Sequence, residues 1–257
     1  MPRATAARML IAADFARAVD PVIFAEDCGI TPDPWQADLL TSCSHRALLL
    51  CSRQSGKTTT TALIALHCAV YQPGALVIVV SPSQRQSAEM LRTVKGLHTA
   101  LANAPELVGD SVLKIEFANG SRILALPGSE KTVRGFAGAT LVIIDEAARV
   151  DDELLAAVRP MLATTNGRLI ALTTPNGKRG FFYEAWTGND PIWKRVRVTA
   201  KDCPRISAEF LAEELRALGA VRFSEEYELA FVDSYSSAFP TDIIDRAFRE
   251  DIKPLWH

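Results

Sequence analysis

The sequence predicts an α/β fold with a mainly parallel β-sheet flanked by helices. One reason is the apolar run 47–50, which precedes a glycine-containing turn and the helical segment 59–70. Another is the pair of continuous apolar runs at 75–80 and 141–144, which are typical of strands buried in a parallel sheet. Runs of this kind, alternating with helical segments, indicate a doubly covered sheet rather than an all-helical or all-β fold.

A β-hairpin insert is predicted within this sheet. Residues 112–117 and 122–126 alternate apolar and polar side chains on either side of Asn119-Gly120, a turn sequence that favours antiparallel pairing. Upstream, Ser81 and Gln84 match an S-x-x-Q capping box at the start of a helix. The insert therefore interrupts an otherwise parallel strand order.

Helices are predicted at both ends of the chain. Residues 5–27 are expected to form one or two short helices broken at Pro21. Near the C-terminus, two amphipathic helices are expected at 207–218 and 224–232, the first of them stopped by Gly219.

Composition places the chain among ordinary globular proteins. It has 257 residues, 48% of them hydrophobic and 23% charged, and a net charge of -2. This composition excludes a mainly disordered chain, and any nucleic-acid binding must come from a local basic face. The five cysteines form no C-x-x-C pair, which favours reduced thiols in the cytoplasm and argues against zinc. No stretch has the length of a signal peptide or a membrane span.

The segment 51–58 resembles a phosphate-binding loop in its strand–turn–helix context. In such a loop, backbone N–H groups and the helix N-terminus form an anion site for the β- and γ-phosphates. Lys57 is expected to contact these phosphates and the Thr58 hydroxyl to hold Mg²⁺. Cys51 stands where the first glycine of the motif is usual, so a plain surface turn is the alternative. The residues expected to bind a nucleotide are Ser52, Arg53, Gln54, Ser55, Gly56, Lys57 and Thr58.

Gln36 is a candidate for reading the base. It follows a proline-stiffened turn and Trp35 upstream of the loop. Its amide offers a donor and an acceptor side by side, which suits the edge of adenine. A surface glutamine beside a core tryptophan is the alternative.

Two carboxylates follow the apolar run 141–144. Asp145 would reach the edge of the sheet beside the loop and hold Mg²⁺ through water, and Glu146 would orient or deprotonate an attacking water. The alternative is a plain strand end before a helix capped at Asp151-Asp152. A further apolar strand, 167–172, ends in Thr173 and Thr174, which would face the same crevice and sense the γ-phosphate.

Together these motifs resemble the large terminase subunit of tailed bacteriophages, the motor that packages DNA into empty capsids. The resemblance covers nearly the whole chain. It rests on Trp35-Gln36, on the loop 52–58 with its Ser-Arg-Gln opening, on Val133–Gly138, on Asp145–Ala148 and on Thr173–Gly177.

The resemblance implies roles for these residues. Gln36 would belong to the adenine motif, and Lys57 and Thr58 would belong to the Walker A motif. Asp145 would belong to the Walker B motif, and Glu146 would be the catalytic carboxylate. The coupling motif would consist of Thr173, Thr174 and Pro175. Arg134 matches the position that reaches into a neighbour's site in ring models, whereas Arg53 would act in cis or shape the loop. A surface ion pair is the alternative for either arginine.

The resemblance also implies an organisation. Residues 1–200 would form an additional-strand, RecA-like P-loop ATPase core and residues 201–235 a helical lid. The N-terminal helices would pack against the core or against this lid. Residues 236–257 would be the connector towards a nuclease domain, so the chain is expected to be the ATPase half, as an engineered fragment or a split-gene product, without nuclease activity. The small helical lid would move against the core when ATP binds.

The function expected is ATP hydrolysis, with ATP and Mg²⁺, that drives double-stranded DNA into a procapsid. The expected partners are DNA, the portal protein and the small terminase subunit. A homo-oligomeric ring is expected when assembled and a monomer in isolation, without a membrane, in the cytoplasm of the infected bacterium. The residues expected to hold DNA phosphates are Lys178, Arg179, Lys194, Arg195 and Arg197. A solvated basic face is the alternative for this cluster.

Two other functions fit parts of the pattern. A superfamily 2 helicase shares the glutamine, the loop and the Asp-Glu pair, but needs a second RecA-like domain, for which the residues after Asp145 leave little room. A scaffold switched by bound nucleotide would turn over little ATP, and Glu146 argues against it.

Overall fold

A computed structural model describes residues 2–128, 133 and 135–232, with side chains from residue 8 onwards. The predicted connector 236–257 and Arg134 lie outside these residues. Within them, no helix is long and apolar enough to cross a membrane.

The predicted α/β fold is confirmed. Eight strands form one sheet in the order β3-β4-β5-β2-β6-β7-β1-β8, and every pairing except β3–β4 and β4–β5 is parallel. The strands are β1 (Arg46–Cys51), β2 (Leu76–Ser81), β3 (Leu107–Ser111), β4 (Lys114–Phe117), β5 (Arg122–Pro127), β6 (Leu141–Asp145), β7 (Arg168–Thr173) and β8 (Lys194–Val198).

Helices cover both faces of this sheet. The α-helices of the described residues are α1 (Pro2–Val19), α2 (Pro21–Asp27), α3 (Pro34–Leu40), α4 (Lys57–Tyr71), α5 (Gln84–Ala100), α6 (Asp152–Met161), α7 (Gly180–Thr187) and α8 (Ala208–Glu226). Short 3-10 helices follow β6 at Ala147–Arg149 and β8 at Ala200–Asp202.

The core consists of two apolar layers, one on each face of the sheet. Because side chains alternate along a strand, Leu49 and Leu48 of β1 belong to opposite layers. The first layer packs against α2, α3, α4 and α5, and the second against α6 and α7. Both layers are buried, which explains why the strands read as continuous apolar runs.

The hairpin prediction is confirmed and extended. Strands β4 and β5 pair antiparallel, and Gly120 supports the turn between them with φ 82°. Strand β3, which pairs with β4 at the sheet edge, was not predicted because it has no alternating apolar pattern. Helix α7 was not predicted either.

Two predicted helix boundaries were wrong. Ser81 is the last, buried residue of β2, and Ser83 caps α5 instead, its hydroxyl oxygen accepting from the Gln86 N–H at 3.3 Å. The helix predicted at 224–232 starts earlier and ends at Glu226. It is continuous with the helix before it, except for a kink at Gly219 (φ 75°, ψ 163°).

The N-terminal helices pack against the end of α4. The Tyr71 hydroxyl donates to Asp14 of α1 at 2.9 Å, and Arg17 pairs with Asp27 of α2. The rings of Phe24 and Tyr71 pack edge to face at 5.9 Å. These contacts position α1 and α2 on the layer that also contains α4.

Candidate functional site

The site lies at the carboxyl edge of the sheet because its parallel strands all end there. Leu50 of β1 pairs with Thr173 of β7, and Asp145 of β6 pairs with Leu172 of the same strand. The loop after β1, the carboxylates after β6 and the threonines of β7 are therefore neighbours. This edge is where open α/β sheets bind their ligands.

The loop 52–56 has the backbone that a phosphate-binding loop requires. Gly56 is the N-cap of α4 with φ 90°, and a Cβ there would lie 2.7 Å from the Gln36 amide nitrogen. The positive φ favours glycine at this position, and an added Cβ would also displace the Gln36 side chain. The Ser55 hydroxyl donates to the Ser52 carbonyl at 2.9 Å and closes the loop from within.

Cys51 is compatible with this loop because its position does not need glycine. It ends β1 as a fully buried strand residue, paired with Val198, and does not adopt a positive φ. Burial raises the pKa of its thiol to about 12, so the side chain is a neutral, apolar filler. The departure at the first position of the motif therefore leaves the turn intact.

A cleft of about 550 Å³ opens in front of this loop. Its volume lies in the range of small-ligand sites. The cleft is lined by Arg53, Gln54, Ser55, Gly56, Lys57, Thr58, Thr59, Gln86, Glu146, Arg149 and Thr174. Most of the predicted nucleotide-binding residues thus share one polar cleft.

Glu146 lies between two cations in the cleft. Its carboxylate is 3.9 Å from the Lys57 ammonium, and its other oxygen accepts from the Arg149 guanidinium. Arg149 also donates to the Thr174 hydroxyl at 3.1 Å. Sequence reasoning missed Arg149, although its place three residues after Glu146 is the spacing of neighbours on one helical turn.

Asp145 is a buried carboxylate whose negative charge is only partly compensated by its neighbours. Burial raises its pKa to about 6, and the neighbouring charge of Glu146 acts in the same direction, whereas Lys57 and the Glu146 N–H act in the opposite direction. A carboxylate with this environment, close to the start of α4, fits a divalent cation. The oxygen atoms of Asp145 and Thr58 are the donors that Mg²⁺ prefers.

The predicted coupling motif has one residue in the cleft and two behind it. Thr173 and Pro175 are buried, and the Thr173 hydroxyl accepts from the Ala148 N–H at 3.3 Å. The Asn176 amide donates to the Ala148 carbonyl at 3.1 Å. Strand β7 is thereby joined to the 3-10 turn that follows Glu146, and Thr174 alone of the three lines the cleft.

Two arginines connect the loop to the C-terminal part of the chain. The Arg53 guanidinium binds both carboxylate oxygens of Glu226 at the end of α8, at 2.7 and 3.2 Å. Arg205 binds both oxygens of Asp33 and reaches the Ser55 carbonyl at 3.3 Å. In this structure Arg53 therefore contacts the predicted lid, and sequence reasoning missed Arg205.

Two predicted nucleotide-binding residues do not line the cleft. Gln36 accepts from the Asp33 N–H at 2.8 Å and donates to the Thr60 hydroxyl at 2.9 Å, which joins α3 to α4. Ser52 is fully buried, and its N–H donates to the Val198 carbonyl. Their roles towards a nucleotide stay predictions.

The predicted DNA-binding cluster is largely engaged within the protein. Arg195 donates to five backbone carbonyls at the end of α7 and beyond it, with distances from 2.6 to 3.3 Å. Lys194 pairs with Asp38, and Arg197 donates to the Glu228 carbonyl. Lys178 and Arg179 are exposed beside the N-terminus of α7. Their role towards DNA stays a prediction.

The fold and this cleft define the class: the protein has the RecA-like fold of P-loop NTPases. Residues 48–246 match the family model described as terminase large subunit, T4likevirus-type, N-terminal. The chain belongs to this family.

Relatives with curated descriptions agree with the assignment. A probable terminase large subunit of Enterobacteria phage P7 is 26% identical over 64% of this chain and 37% of its own length. The terminase large subunit of Thermus phage G20c is 23% identical over 84% of this chain and 52% of its own length. The chain thus spans about half or less of these relatives.

Solved structures share the fold at low identity. The large terminase ATPase domain of Thermus phage P74-26 has a TM-score of 0.68 with 21% identity, covering 81% of this chain and 97% of that one. A large terminase from a thermophilic bacteriophage, solved in complex with ADP, has a TM-score of 0.66 with 11% identity, covering 78% of this chain and 54% of that one.

Proposed function

We propose that this chain hydrolyses ATP in the cleft in front of the loop 52–58. The observation that carries the proposal is the juxtaposition of Lys57, Glu146 and Arg149 around a glycine-supported anion site at the start of α4. The large terminase from a thermophilic bacteriophage, which shares this fold, was solved in complex with ADP and also with ATP-gamma-S. Nucleotide binding in the cleft of this chain is the simplest use of this arrangement of side chains.

Each residue has a defined task in this proposal. The N–H groups of the loop and Lys57 bind the β- and γ-phosphates, and Lys57 leaves Glu146 when it does so. Glu146 then accepts the proton of the attacking water. Thr58 and Asp145 would hold Mg²⁺, which neutralises phosphate charge when bound.

Arg149 orients Glu146, since one guanidinium binds both the Glu146 carboxylate and the Thr174 hydroxyl. The hydrogen bond from Arg149 to Thr174, which directly follows β7, also connects the cleft to that strand. Arg53 is assigned to the loop and to its contact with α8, and Arg134 to the site of a neighbouring subunit.

The biological role that we propose is translocation of double-stranded viral DNA into a procapsid, in the cytoplasm of the infected bacterium. In this role the chain acts in a homo-oligomeric ring with the portal protein and the small terminase subunit. Residues 1–200 are the ATPase core, 201–235 the lid and 236–257 the connector. Family membership supports this role.

Phosphate release under steady-state conditions tests the proposed chemistry. Lys57→Ala is expected to abolish turnover, and Glu146→Gln to keep ATP binding while losing turnover, because the amide cannot accept a proton. Wild-type turnover no faster than that of these two variants would favour the nucleotide-switched scaffold instead. In assembled rings, mixing Lys57→Ala with Arg134→Ala subunits is expected to restore part of the activity, because the two defects lie on opposite sides of a shared site.

A further inference from the structure

A second cavity lies at the amino edge of the sheet, at the opposite ends of the strands from the nucleotide cleft. It encloses about 340 Å³ next to the first residues of β6 and β7. Arg168, the first residue of β7, lines it together with Ser42, Ser44, Cys43 and Cys68. The proposed ATPase chemistry uses none of these residues.

Arg168 has little compensation for its charge. Its Nη2 reaches the Leu39 carbonyl at 3.4 Å, and its Nε is inaccessible to solvent without a hydrogen-bond partner. Among the described residues, no carboxylate lies within ion-pair distance of it. Burial lowers the pKa of this guanidinium, yet an arginine stays protonated in a protein. A half-buried guanidinium charge that has only this one carbonyl contact in the described part of the chain is costly.

Arg46, the first residue of β1, lies near another arginine, Arg159. Arg46 donates to the His45 and Gly167 carbonyls, at 2.8 and 2.7 Å, and the charge of Arg159 contributes to lowering its pKa. Neither arginine pairs with a carboxylate in the part of the chain that the structure describes. The Cys68 thiol cannot serve as a counter-ion, because burial raises its pKa to about 12. Arg46 and Arg159 add positive charge near the amino end of β1.

We propose that this cavity binds a phosphate group, with the Arg168 guanidinium as its anchor. A guanidinium offers parallel N–H donors that match phosphate oxygens and form strong, charge-assisted hydrogen bonds. Ser42 and Ser44 line the same cavity; the Ser42 hydroxyl donates to the Ser44 hydroxyl, which is left to donate to a phosphate oxygen. The phosphate is either free in solution or part of a DNA backbone. The inference does not depend on ATP hydrolysis at the other edge of the sheet.

Alkylation of Cys43 by uncharged N-ethylmaleimide gives a local readout. Cys43 lines the cavity and is exposed, whereas the other four cysteines are buried. Inorganic phosphate at ten times its dissociation constant should leave about one site in eleven free, and so slow the alkylation about tenfold at matched ionic strength. Arg168→Gln should abolish this protection. Lys57→Ala should retain it, because the loop 52–58 is not the site that is measured.

A short DNA duplex in place of phosphate distinguishes the two sources. Protection by the duplex but not by phosphate assigns the cavity to a DNA backbone, and the reverse assigns it to a free anion. Because no described carboxylate pairs with Arg168, Arg168→Gln is expected to melt no lower than the wild type in phosphate-free buffer. Should it melt lower, a Ser42→Ala, Ser44→Ala double variant replaces it. Absence of protection with both probes, or protection that survives in Arg168→Gln, overturns the proposal.

Discussion

Glu146 occupies a backbone conformation that few side chains adopt. Its φ of 51° and ψ of 45° place it in the left-handed region, which costs roughly 1–2 kcal/mol for a residue other than glycine. The turn is maintained by the Asp145 carboxylate, which accepts from the Glu146 N–H at 3.0 Å, and by the contact with Arg149. Strain of this kind is common where a side chain must be directed towards a ligand.

Arg149→Gln is predicted to lower kcat for ATP hydrolysis more than it raises KM. The variant removes the cation that orients Glu146 but leaves the phosphate-binding loop unchanged, and a loss of about tenfold corresponds to about 1.4 kcal/mol of transition-state stabilisation. Arg92→Gln is the matched control, since Arg92 also forms an ion pair with a glutamate three residues away, but on an exposed helix face. Equal turnover in both variants would remove Arg149 from the mechanism.

Asp145→Asn is predicted to stabilise the protein without nucleotide or Mg²⁺ at neutral pH. The folded-state pKa of Asp145 is about 6, above the reference value of 3.8, so folding favours the protonated form. The stability contribution of this group is fully present below about pH 4 and is lost as the pH rises through 6. Between pH 4 and pH 7.5, the free energy of unfolding of the variant should rise relative to wild type by about 2 kcal/mol.

Urea unfolding at several pH values measures this difference. Asp202→Asn provides a control of opposite sign, because hydrogen bonds from Thr199 lower the pKa of Asp202. That variant should lose stability relative to wild type as the pH rises to about 4, and the difference should then stay constant up to pH 7.5. A pH-independent difference for Asp145→Asn would contradict the environment described for this carboxylate.

At the scale of elements, the kink in α8 depends on one residue. Gly219 has φ 75° and ψ 163°, a combination that is essentially limited to glycine. The kink precedes the segment that contains Phe223 and Tyr227, which pack in a small apolar cluster with Ala200. The same segment contains Glu226, which binds Arg53 of the phosphate-binding loop. The direction of the helix after the kink therefore determines whether α8 reaches the phosphate-binding loop.

Gly219→Ala is predicted to destabilise the protein by about 1–3 kcal/mol, because the kink then requires a strained backbone. Gly96→Ala is the matched control. Gly96 lies in the helical part of α5 with no atom within 4 Å of an added Cβ, so this change should stabilise the protein by up to about 1 kcal/mol. Thermal unfolding measures both effects. A Gly219→Ala variant as stable as wild type would mean that the kink is not intrinsic to the fold.

At the scale of the whole molecule, Arg195 acts as a structural cation. Its guanidinium caps the carbonyls at the C-terminal end of α7, including those of Ala185 and Trp186, at 2.8 and 3.0 Å. Cations at this end of a helix also interact favourably with its dipole. Charge reversal at Arg195 would therefore change the fold around β8 and could not report on DNA binding alone.

Arg179→Glu is the sharper test of DNA binding on this face. Arg179 is exposed at the N-cap position of α7, so its replacement is expected to spare basal ATP hydrolysis and reduce DNA-stimulated hydrolysis. Binding of duplex DNA by the wild type should be independent of sequence and weaken strongly with salt. Arg122→Glu, an exposed arginine on β5, is the control. Equal DNA stimulation in both variants would assign DNA contact to another face.

The sequence by itself determined the fold class and the chemical character of the main site. Apolar runs of strand length mark β1, β2, β6 and β7 because both faces of the sheet are buried, and a strand buried on both faces has little room for polar positions. The loop 52–58 and the carboxylates 145–146 are also recognisable from the sequence, because each directly follows an apolar run and the loop directly precedes a helix. The residues that define each motif are therefore neighbours in the sequence.

Only the tertiary structure decided which charges meet. Arg149 beside Glu146, Arg53 on Glu226 and Gln36 against Thr60 depend on how segments pack, and no local pattern encodes their distances. The sequence shows Arg195 as one of several surface cations, whereas the fold surrounds it with carbonyls. Arg168 was not distinguished at all, because the lack of a hydrogen-bond partner for its Nε among the described residues becomes visible only when the neighbours around a residue are known. Residue type and spacing therefore determine what each side chain can do, and packing determines what it does.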